Sequence, residues 1–111
     1  MTKVSKNKAV IHKRPGIGGR YYQFPEINGG TTVAFATFSG EHGERTIGER
    51  ARIYYILKGK AKFEVNGEIV EAGEGDVVAI PAYGNYNLWP LGNSVDVLLF
   101  MEFLDFDKLP K

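Results

Sequence analysis

The chain has 111 residues, of which 43% are hydrophobic, 24% charged and 13% aromatic, with a net charge of +1 and no cysteine. This predicts one globular domain over residues 1–111 and excludes disulfides and thiolate metal sites. The charges are interspersed, which argues against a nucleic-acid polymer or a membrane as partner. The N-terminal segment carries only the short apolar run AVI, too short for a signal peptide, so a cytoplasmic location is expected.

The predicted elements are short β-strands that follow a basic segment, residues 1–8, expected to be partly disordered. No window of eleven residues has a 3.6-residue apolar period, so helix is expected only over a turn or two at the chain ends. The expected barrel core covers about residues 19–104. The predicted strands are Gly19–Phe24, Thr31–Phe38, Arg52–Leu57, Ala61–Asn66, Glu68–Ala72, Asp76–Ile80, Tyr86–Leu88 and Val95–Phe103.

Turn residues separate the predicted strands. Asn66 and Gly67 are typical of a two-residue type I′ hairpin, in which both residues have positive φ. The stretch KGK is interpreted as a tight turn, and GEGD and PLGN as turns between later strands. Many short strands with regular turns predict an all-β, antiparallel sandwich or barrel.

Two stretches, RIYYILKGKAKFEVNGE and GEGDVVAIPAY, resemble the two motifs of small single-domain cupins (RmlC-like jelly rolls). The resemblance extends over roughly residues 31–103. Gly40 and Gly59 match the outer glycines of the first motif, and Gly75 and Pro81 match the residues that shape the second. The resemblance implies a cupin-type antiparallel β-barrel, also described as a double-stranded β-helix or jelly roll.

The residues that bind a metal in most cupins are replaced at the matching positions. The two histidines and the glutamate of the first motif fall on Thr46, Gly48 and Arg52, and the histidine of the second falls on Tyr86. These residues do not supply the converging nitrogen and oxygen ligands that a divalent metal requires. We therefore expect neither a metal nor another cofactor.

Arg52 opens a predicted strand in which alternation places Tyr54 and Ile56 on the same side. An inward arginine offers a fork of donors suited to an anionic or enolate-like ligand. The alternative is a buried ion pair with Glu102 or Glu49 that fills the former metal position. Nearer the N-terminus, the stretch KRPGIGG lacks the spacing of a phosphate-binding loop and is interpreted as a turn. Lys13, Arg14 or Arg20 would add positive charge at the rim of the barrel.

The stretch AYGNYNLW concentrates aromatic and amide side chains where the second motif ends. Tyr86 replaces a metal ligand with a phenol that can donate, accept and stack. Tyr83 and Trp89 are candidates for ligand contact in the same stretch. The alternative is that these aromatic residues belong to an interface or to the rim of the barrel.

His42 follows a predicted strand in the loop SGEHGERT, close to the expected mouth of the barrel. Histidine titrates near neutral pH and can serve as a general base, and no other histidine is expected within the barrel. Glu102 interrupts the apolar strand VDVLLFMEFL. Because both faces of that strand are apolar, alternation does not decide whether Glu102 points inward.

Similarity to metal-free cupin dehydratases and isomerases implies acid/base catalysis next to a carbonyl group. The expected reaction is that of a lyase or isomerase on a small anionic, sugar-like or nucleoside-like molecule. His42 is the first candidate for the base, with Tyr55, Tyr86 and Glu102 for acid and orienting roles. The substrate would be bound by Arg52, Tyr54, Tyr83 and Trp89.

Two other functions remain open at this point. The domain could bind or sense a small molecule without converting it, which requires Arg52 and the aromatic residues but no titrating histidine. A weaker alternative is an atypical metal site built from His42 with Glu41 or Glu44. A homodimer is compatible with each function, because the strand containing Tyr21 and Tyr22 has an edge that must be covered.

Overall fold

The computed structural model describes residues 2–106. It consists almost entirely of antiparallel β-strands, as predicted, and a single 3₁₀ turn at Lys6–Lys8 precedes them within the segment expected to be partly disordered. No helix within residues 2–106 is long and apolar enough to cross a membrane. The strands are β1 (Val10–Arg14), β2 (Ile17–Phe24), β3 (Thr31–Phe38), β4 (Arg45–Thr46), β5 (Arg52–Val65), β6 (Glu68–Gly73), β7 (Val77–Ile80) and β8 (Asn85–Glu102).

All eight strands belong to one hydrogen-bonded sheet, in the order β1-β2-β3-β8-β5-β6, with β4 paired to β8 and β7 to β5. The long strands β5 and β8 run antiparallel to each other over most of their length. The first half of β5 also pairs with β7 and its second half with β6. The sheet therefore curls around a single core, which is built from alternate residues of these strands.

The predicted strands are found, but four of them are halves of longer ones. Thr31–Phe38 has the predicted bounds, whereas β5 joins two predicted strands and so does β8. β1 and β4 were not predicted. β1 pairs with residues 17–21 of β2, so the edge that was expected to need a partner is covered by the chain itself as far as Tyr21, and Tyr22 lies beyond the end of β1.

The KGK stretch, interpreted from sequence as a tight turn, lies within the continuous β5, opposite an irregularity in which β8 carries the extra residues. Lys58 is paired with Asp96 and Lys60 with Leu91, so Gly59 alone lies opposite residues 92–95 of β8. The PLGN stretch, interpreted from sequence as a turn, is part of β8: its first two residues pair with β5 and its last two belong to the irregularity. Gly59 has φ +87°, and a Cβ there would lie 2.7 Å from the carbonyl oxygen of Ser94.

Gly59→Ala is expected to lower the free energy of unfolding by about 2 kcal/mol or more. Alanine would adopt an unfavourable positive φ and would also collide with the backbone of β8. Gly67→Ala is the matched control, because Gly67 has φ +83° but nothing within 4 Å of the added Cβ. Urea denaturation of both variants checks this; equal losses would show that the close approach to Ser94 has no effect.

The hairpin predicted at Asn66 and Gly67 is confirmed. Their φ angles are +50° and +83°, the two positive values that a type I′ turn requires. Val65 is paired with Glu68 across the turn. This short connection fixes the register of β6 against β5.

Alternation along β5 separates the inside of the barrel from the outside, as predicted. Arg52, Tyr54 and Ile56 are buried, whereas Ile53 and Tyr55 are each about two-fifths exposed. Burying a guanidinium is costly unless it is paired and hydrogen-bonded. Arg52, on the inner face of β5, therefore requires a charged partner and hydrogen-bond acceptors inside the barrel.

Candidate functional site

A cavity of about 190 Å³ opens into the barrel next to the inner face of β5. Strands β1, β2, β3, β4, β5 and β8 all contribute to its wall. Apolar residues such as Phe38, Leu99 and Met101 form part of the lining. The polar and charged side chains in the wall are His12, Arg14, Tyr21, His42, Arg45, Arg52 and Tyr54.

Arg52 lines this cavity and is only 2% exposed. Its Nε donates to Glu102 Oε1 at 3.1 Å and its Nη2 to Oε2 at 2.8 Å, which makes a bidentate ion pair. The remaining Nη1 donates to the hydroxyl of Tyr86 at 3.0 Å. Burial opposes the charge, but the hydrogen bonds and charge of Glu102 outweigh it, so the pKa of Arg52 is raised. The cation is permanent.

Glu102 is the partner of Arg52, which was one of the two alternatives left open by the sequence. Burial tends to raise the pKa of this carboxyl group, but the hydrogen bonds and charge of Arg52 lower it below its usual value. Glu102 is therefore ionised at neutral pH and is not suited to act as an acid. It also lies outside the cavity wall, where it orients Arg52.

Two tyrosine hydroxyls meet beside Arg52. Tyr54 and Tyr86 are almost fully buried, and their hydroxyl oxygens are hydrogen-bonded to each other. Burial, followed by the influence of Tyr86, raises the pKa of Tyr54 well above its usual value. Tyr54 is therefore a neutral phenol at physiological pH, able to donate a proton or a hydrogen bond.

His42 lies over the ring of Tyr86, with ring centroids 5.1 Å apart. Its Nδ1 is 2.8 Å from the carbonyl oxygen of Gly43, which only accepts, so Nδ1 carries the hydrogen and Nε2 has the free lone pair. Nε2 is 3.5 Å from the Tyr86 hydroxyl. Burial lowers the pKa of His42 to about 4, and the nearby cations of Arg14, Arg52 and Arg45 act in the same direction. The imidazole is neutral at pH 7.

Asn87 holds the loop that carries His42, and sequence reasoning missed it. Its Oδ1 accepts from the backbone N–H of Gly43 at 2.8 Å, and its Nδ2 donates to Glu41 at 2.6 Å. The backbone N–H of His42 donates to the carbonyl oxygen of Leu88 at 2.9 Å. The only sequence signal for Asn87 was its position next to Tyr86, and that position does not show which loop its side chain contacts.

The stability of the protein is expected to fall below pH 6.5 because of His42. Since the pKa of His42 is about 4 in the folded state and about 6.5 when unfolded, the unfolded chain takes up the proton first. The contribution of this group is fully present above pH 6.5 and is lost progressively down to pH 4, by at most about 3 kcal/mol. Denaturation of wild type and His42→Gln at several pH values measures it: the wild type should lose more stability than the variant between pH 6.5 and pH 4.

Three aromatic candidates lie away from this cluster. Tyr55 is 39% exposed on the outer face of β5, since adjacent residues of a strand point to opposite sides. Tyr83 is 69% exposed in the turn before β8. Trp89 packs against Lys62, whose Nζ is 4.6 Å from the ring centroid. None of the three lines the cavity, which corrects the roles expected for them there.

His12 corrects the expectation that His42 is the only histidine in the barrel. It lines the same cavity from β1, a strand that was not predicted. Its ring packs against Tyr21 and Phe106, with centroids 6.4 and 5.4 Å away. The structure gives it no contact with the pair Tyr54 and Tyr86, so His42 is the imidazole next to the tyrosines.

The residues at the usual metal positions of a cupin do not fit a divalent metal. Arg52 places a permanent cation there, which repels a second cation. Between Thr2 and Phe106, no three His, Cys, Asp or Glu side chains are grouped so that they could hold a metal ion. Glu41 and Glu44, proposed as ligands beside His42, instead accept hydrogen bonds from Asn87 and Asn85.

Comparison with solved structures identifies the fold. KdgF from Halomonas sp. is 20% identical, with a TM-score of 0.74 over 95% of this chain and 96% of that one. Streptomyces Pac13, described as a nucleoside dehydratase, is 19% identical, with a TM-score of 0.76 over 96% and 87%. The Cnp3 cupin domain of Schizosaccharomyces pombe is 13% identical, with a TM-score of 0.70 over 96% and 77%. At these identities the likeness shows the cupin fold alone.

Comparison with protein families gives a direct assignment, whereas no curated protein matches the chain. The family model described as the AraC-like ligand binding domain matches residues 28–101, which include β3, β4, β5, β6, β7 and most of β8. The match extends over more than half of the 111 residues. The chain therefore belongs to the family of AraC-like ligand binding domains and has the cupin fold.

Proposed function

We propose that this domain is a metal-independent enzyme that moves a proton next to a carbonyl group of a small sugar-like or nucleoside-like molecule, as a dehydratase or isomerase. The observation that carries the proposal is the neutral His42, whose Nε2 lone pair lies beside the tyrosine pair. A general base must be unprotonated and within reach of the proton that it removes. His42 satisfies the first condition at any pH well above 4.

The other half of the reaction requires an acid or an oxyanion donor. Removing a proton α to a carbonyl places negative charge on the carbonyl oxygen, where preorganised donors stabilise it. Tyr54 reaches the cavity wall, and its hydroxyl is bonded to that of Tyr86, which in turn accepts from Arg52. A cation behind two phenols strengthens the hydrogen bond that Tyr54 can give to the substrate oxygen.

In the dehydratase form of the reaction, His42 removes one proton from the substrate and returns it to the leaving hydroxyl group. His42 Nε2 takes the α-proton, and the electron pair of the C–H bond forms the enolate. The enolate then expels the hydroxyl group on the β-carbon, which takes a proton from the imidazolium and leaves as water. The product is an α,β-unsaturated carbonyl compound, and His42 is neutral again. An isomerase would return the proton to a different carbon instead.

The comparisons support this proposal indirectly. Pac13, described as a nucleoside dehydratase, has been solved with uridine in variants that replace a histidine by glutamine or one of two different tyrosines by phenylalanine. The present chain brings together one histidine and two tyrosines in the same fold. A nucleoside or a sugar is therefore the first class of compound to test.

The experiment follows the α-proton by NMR in D₂O with nucleosides, sugars and their oxidised derivatives. Exchange of the α-proton for deuterium reports base catalysis even where no group leaves, and ultraviolet absorbance reports the conjugated product. We expect enzyme-dependent exchange for at least one carbonyl compound that also raises the melting temperature. Compounds that bind but never exchange would contradict the proposal.

The second candidate function is binding without conversion. It is favoured by the family description, a ligand binding domain, which implies no reaction. Arg52 and the tyrosine pair would then position a ligand, and His42 would contribute a hydrogen-bond acceptor only. The same experiment separates the two functions, because a binding domain shifts the melting temperature with a ligand and leaves its α-proton in place.

A further inference from the structure

The cavity wall carries three guanidinium groups and no carboxylate. They belong to Arg14, Arg45 and Arg52. The charge of Arg52 is balanced by Glu102, which lies outside the wall. Within residues 2–106 no ion pair is described for Arg14 or Arg45. The cavity therefore has an excess of positive charge that its own walls do not neutralise.

Arg14 and Arg45 flank the loop that carries His42, and the charge of Arg45 also acts on the carboxylate of Glu102. Arg14 ends β1 and donates from Nη2 to the carbonyl oxygen of His42 at 3.0 Å. Arg45 lies in β4, three residues after His42, and is paired with Tyr86 across the sheet. Both cations act on the imidazole, since both lower the pKa of His42. An anion bound between them would lie next to the proposed base.

We propose that Arg14 and Arg45 form an oxyanion subsite, which binds a carboxylate or phosphate group of the ligand while its reacting carbon lies against His42. Guanidinium groups match the planar oxygens of either anion with two parallel hydrogen bonds. The position of the reacting carbon rests on the proposed function. The subsite itself does not, because a binding domain would use it equally well.

The subsite has a consequence for the base. An anion that neutralises Arg14 and Arg45 removes part of the positive field that keeps His42 unprotonated, so the imidazole becomes a stronger base when the ligand is bound. A neutral ligand leaves that field in place. Anionic ligands are therefore expected both to bind more tightly and to lose their α-proton faster than neutral ligands of the same shape.

The test uses pairs of probes that differ in the anionic group: glucuronate with glucose, and uridine 5′-monophosphate with uridine. Affinities are measured by calorimetry for wild type, Arg45→Gln and a control, Arg20→Gln. Arg45 makes no side-chain hydrogen bond in the structure described for residues 2–106, so its substitution disturbs little else. Arg20→Gln removes one positive charge, as Arg45→Gln does. Arg20 lies outside the cavity wall, where it donates to the carbonyl oxygen of Lys6.

We expect the wild type to bind the anionic member of at least one pair tenfold or more tightly, and Arg45→Gln to lose most of that preference while binding the neutral member unchanged. A preference for glucuronate over glucose alone identifies a carboxylate as the anion of the ligand. A preference for uridine 5′-monophosphate over uridine alone identifies a phosphate. The subsite would be overturned if wild type bound the anionic and neutral members of each pair equally, or did not bind the anionic members at all. It would also be overturned if Arg20→Gln lost the preference for the anion as Arg45→Gln does. Failure of proton exchange with the preference intact would overturn only the proposed reaction.

Discussion

His42→Gln is expected to lower the rate of α-proton exchange by about 10²- to 10⁴-fold, the usual contribution of a general base. Glutamine keeps the approximate size and a hydrogen-bonding end group, but it cannot take up a proton. The backbone N–H of residue 42 still donates to the carbonyl oxygen of Leu88 in the variant, so the loop is expected to keep its position. Exchange rates and ligand affinity are measured on the same protein, and the affinity should change little.

His12→Gln is the matched comparison, since the chain has two histidines and both line the cavity. His12 packs on Tyr21 and Phe106 and not on the tyrosine pair, so its substitution should reduce exchange far less. The wild-type rate should rise with pH through about 4, where His42 loses its proton, and then level off. Equal losses in the two variants would exclude His42 as the base.

Much of the fold could be predicted because its signals are local. The two positive φ values at Asn66 and Gly67 follow from residue type, and the side on which Arg52 and Tyr54 lie follows from alternation. The continuity of β5 could not be predicted from KGK, because a glycine with positive φ is found both in a tight turn and within a strand that lies opposite an irregularity. The neighbouring strand decides between them, and residues 92–95 of β8 lie opposite Gly59.

The candidate site was predicted where the cupin motif fixes a position and missed where tertiary structure decides. Arg52 and Tyr86 fall on metal-ligand positions of the motif, and they are in contact. Tyr55 could not share a face with Tyr54, so alternation alone excluded one of the two. His12 entered the wall through β1, whose sequence VIHKR has no strong alternation and pairs only with β2. Long-range contacts of this kind leave no local pattern. Of the three basic residues expected at the rim, Arg14 lines the cavity, and Lys13 and Arg20 do not.

Arg52→Met is expected to destabilise the protein by about 3–5 kcal/mol, the effect of breaking a buried ion pair by removing one partner. Methionine fills similar volume but leaves Glu102 without its counter-charge and the Tyr86 hydroxyl without a donor. The side chain of Glu102 is 28% exposed, which gives water access and favours the lower end of that range. Urea denaturation at pH 7 measures the loss, with the half-buried Arg20→Met as a control that should lose less than about 1 kcal/mol.

The double variant Arg52→Met with Glu102→Gln separates the ion pair from its packing. Removing both charges leaves no uncompensated carboxylate, so the double variant should recover part of the stability lost by Arg52→Met. The sign of the pH dependence gives a second measurement. Because Arg52 lowers the pKa of Glu102, the pair contributes above the usual glutamate pKa and its contribution is lost as the pH falls through the lowered one. A double variant as unstable as Arg52→Met, with wild-type pH dependence, would show that Arg52 stabilises the barrel through packing and Tyr86 rather than through Glu102.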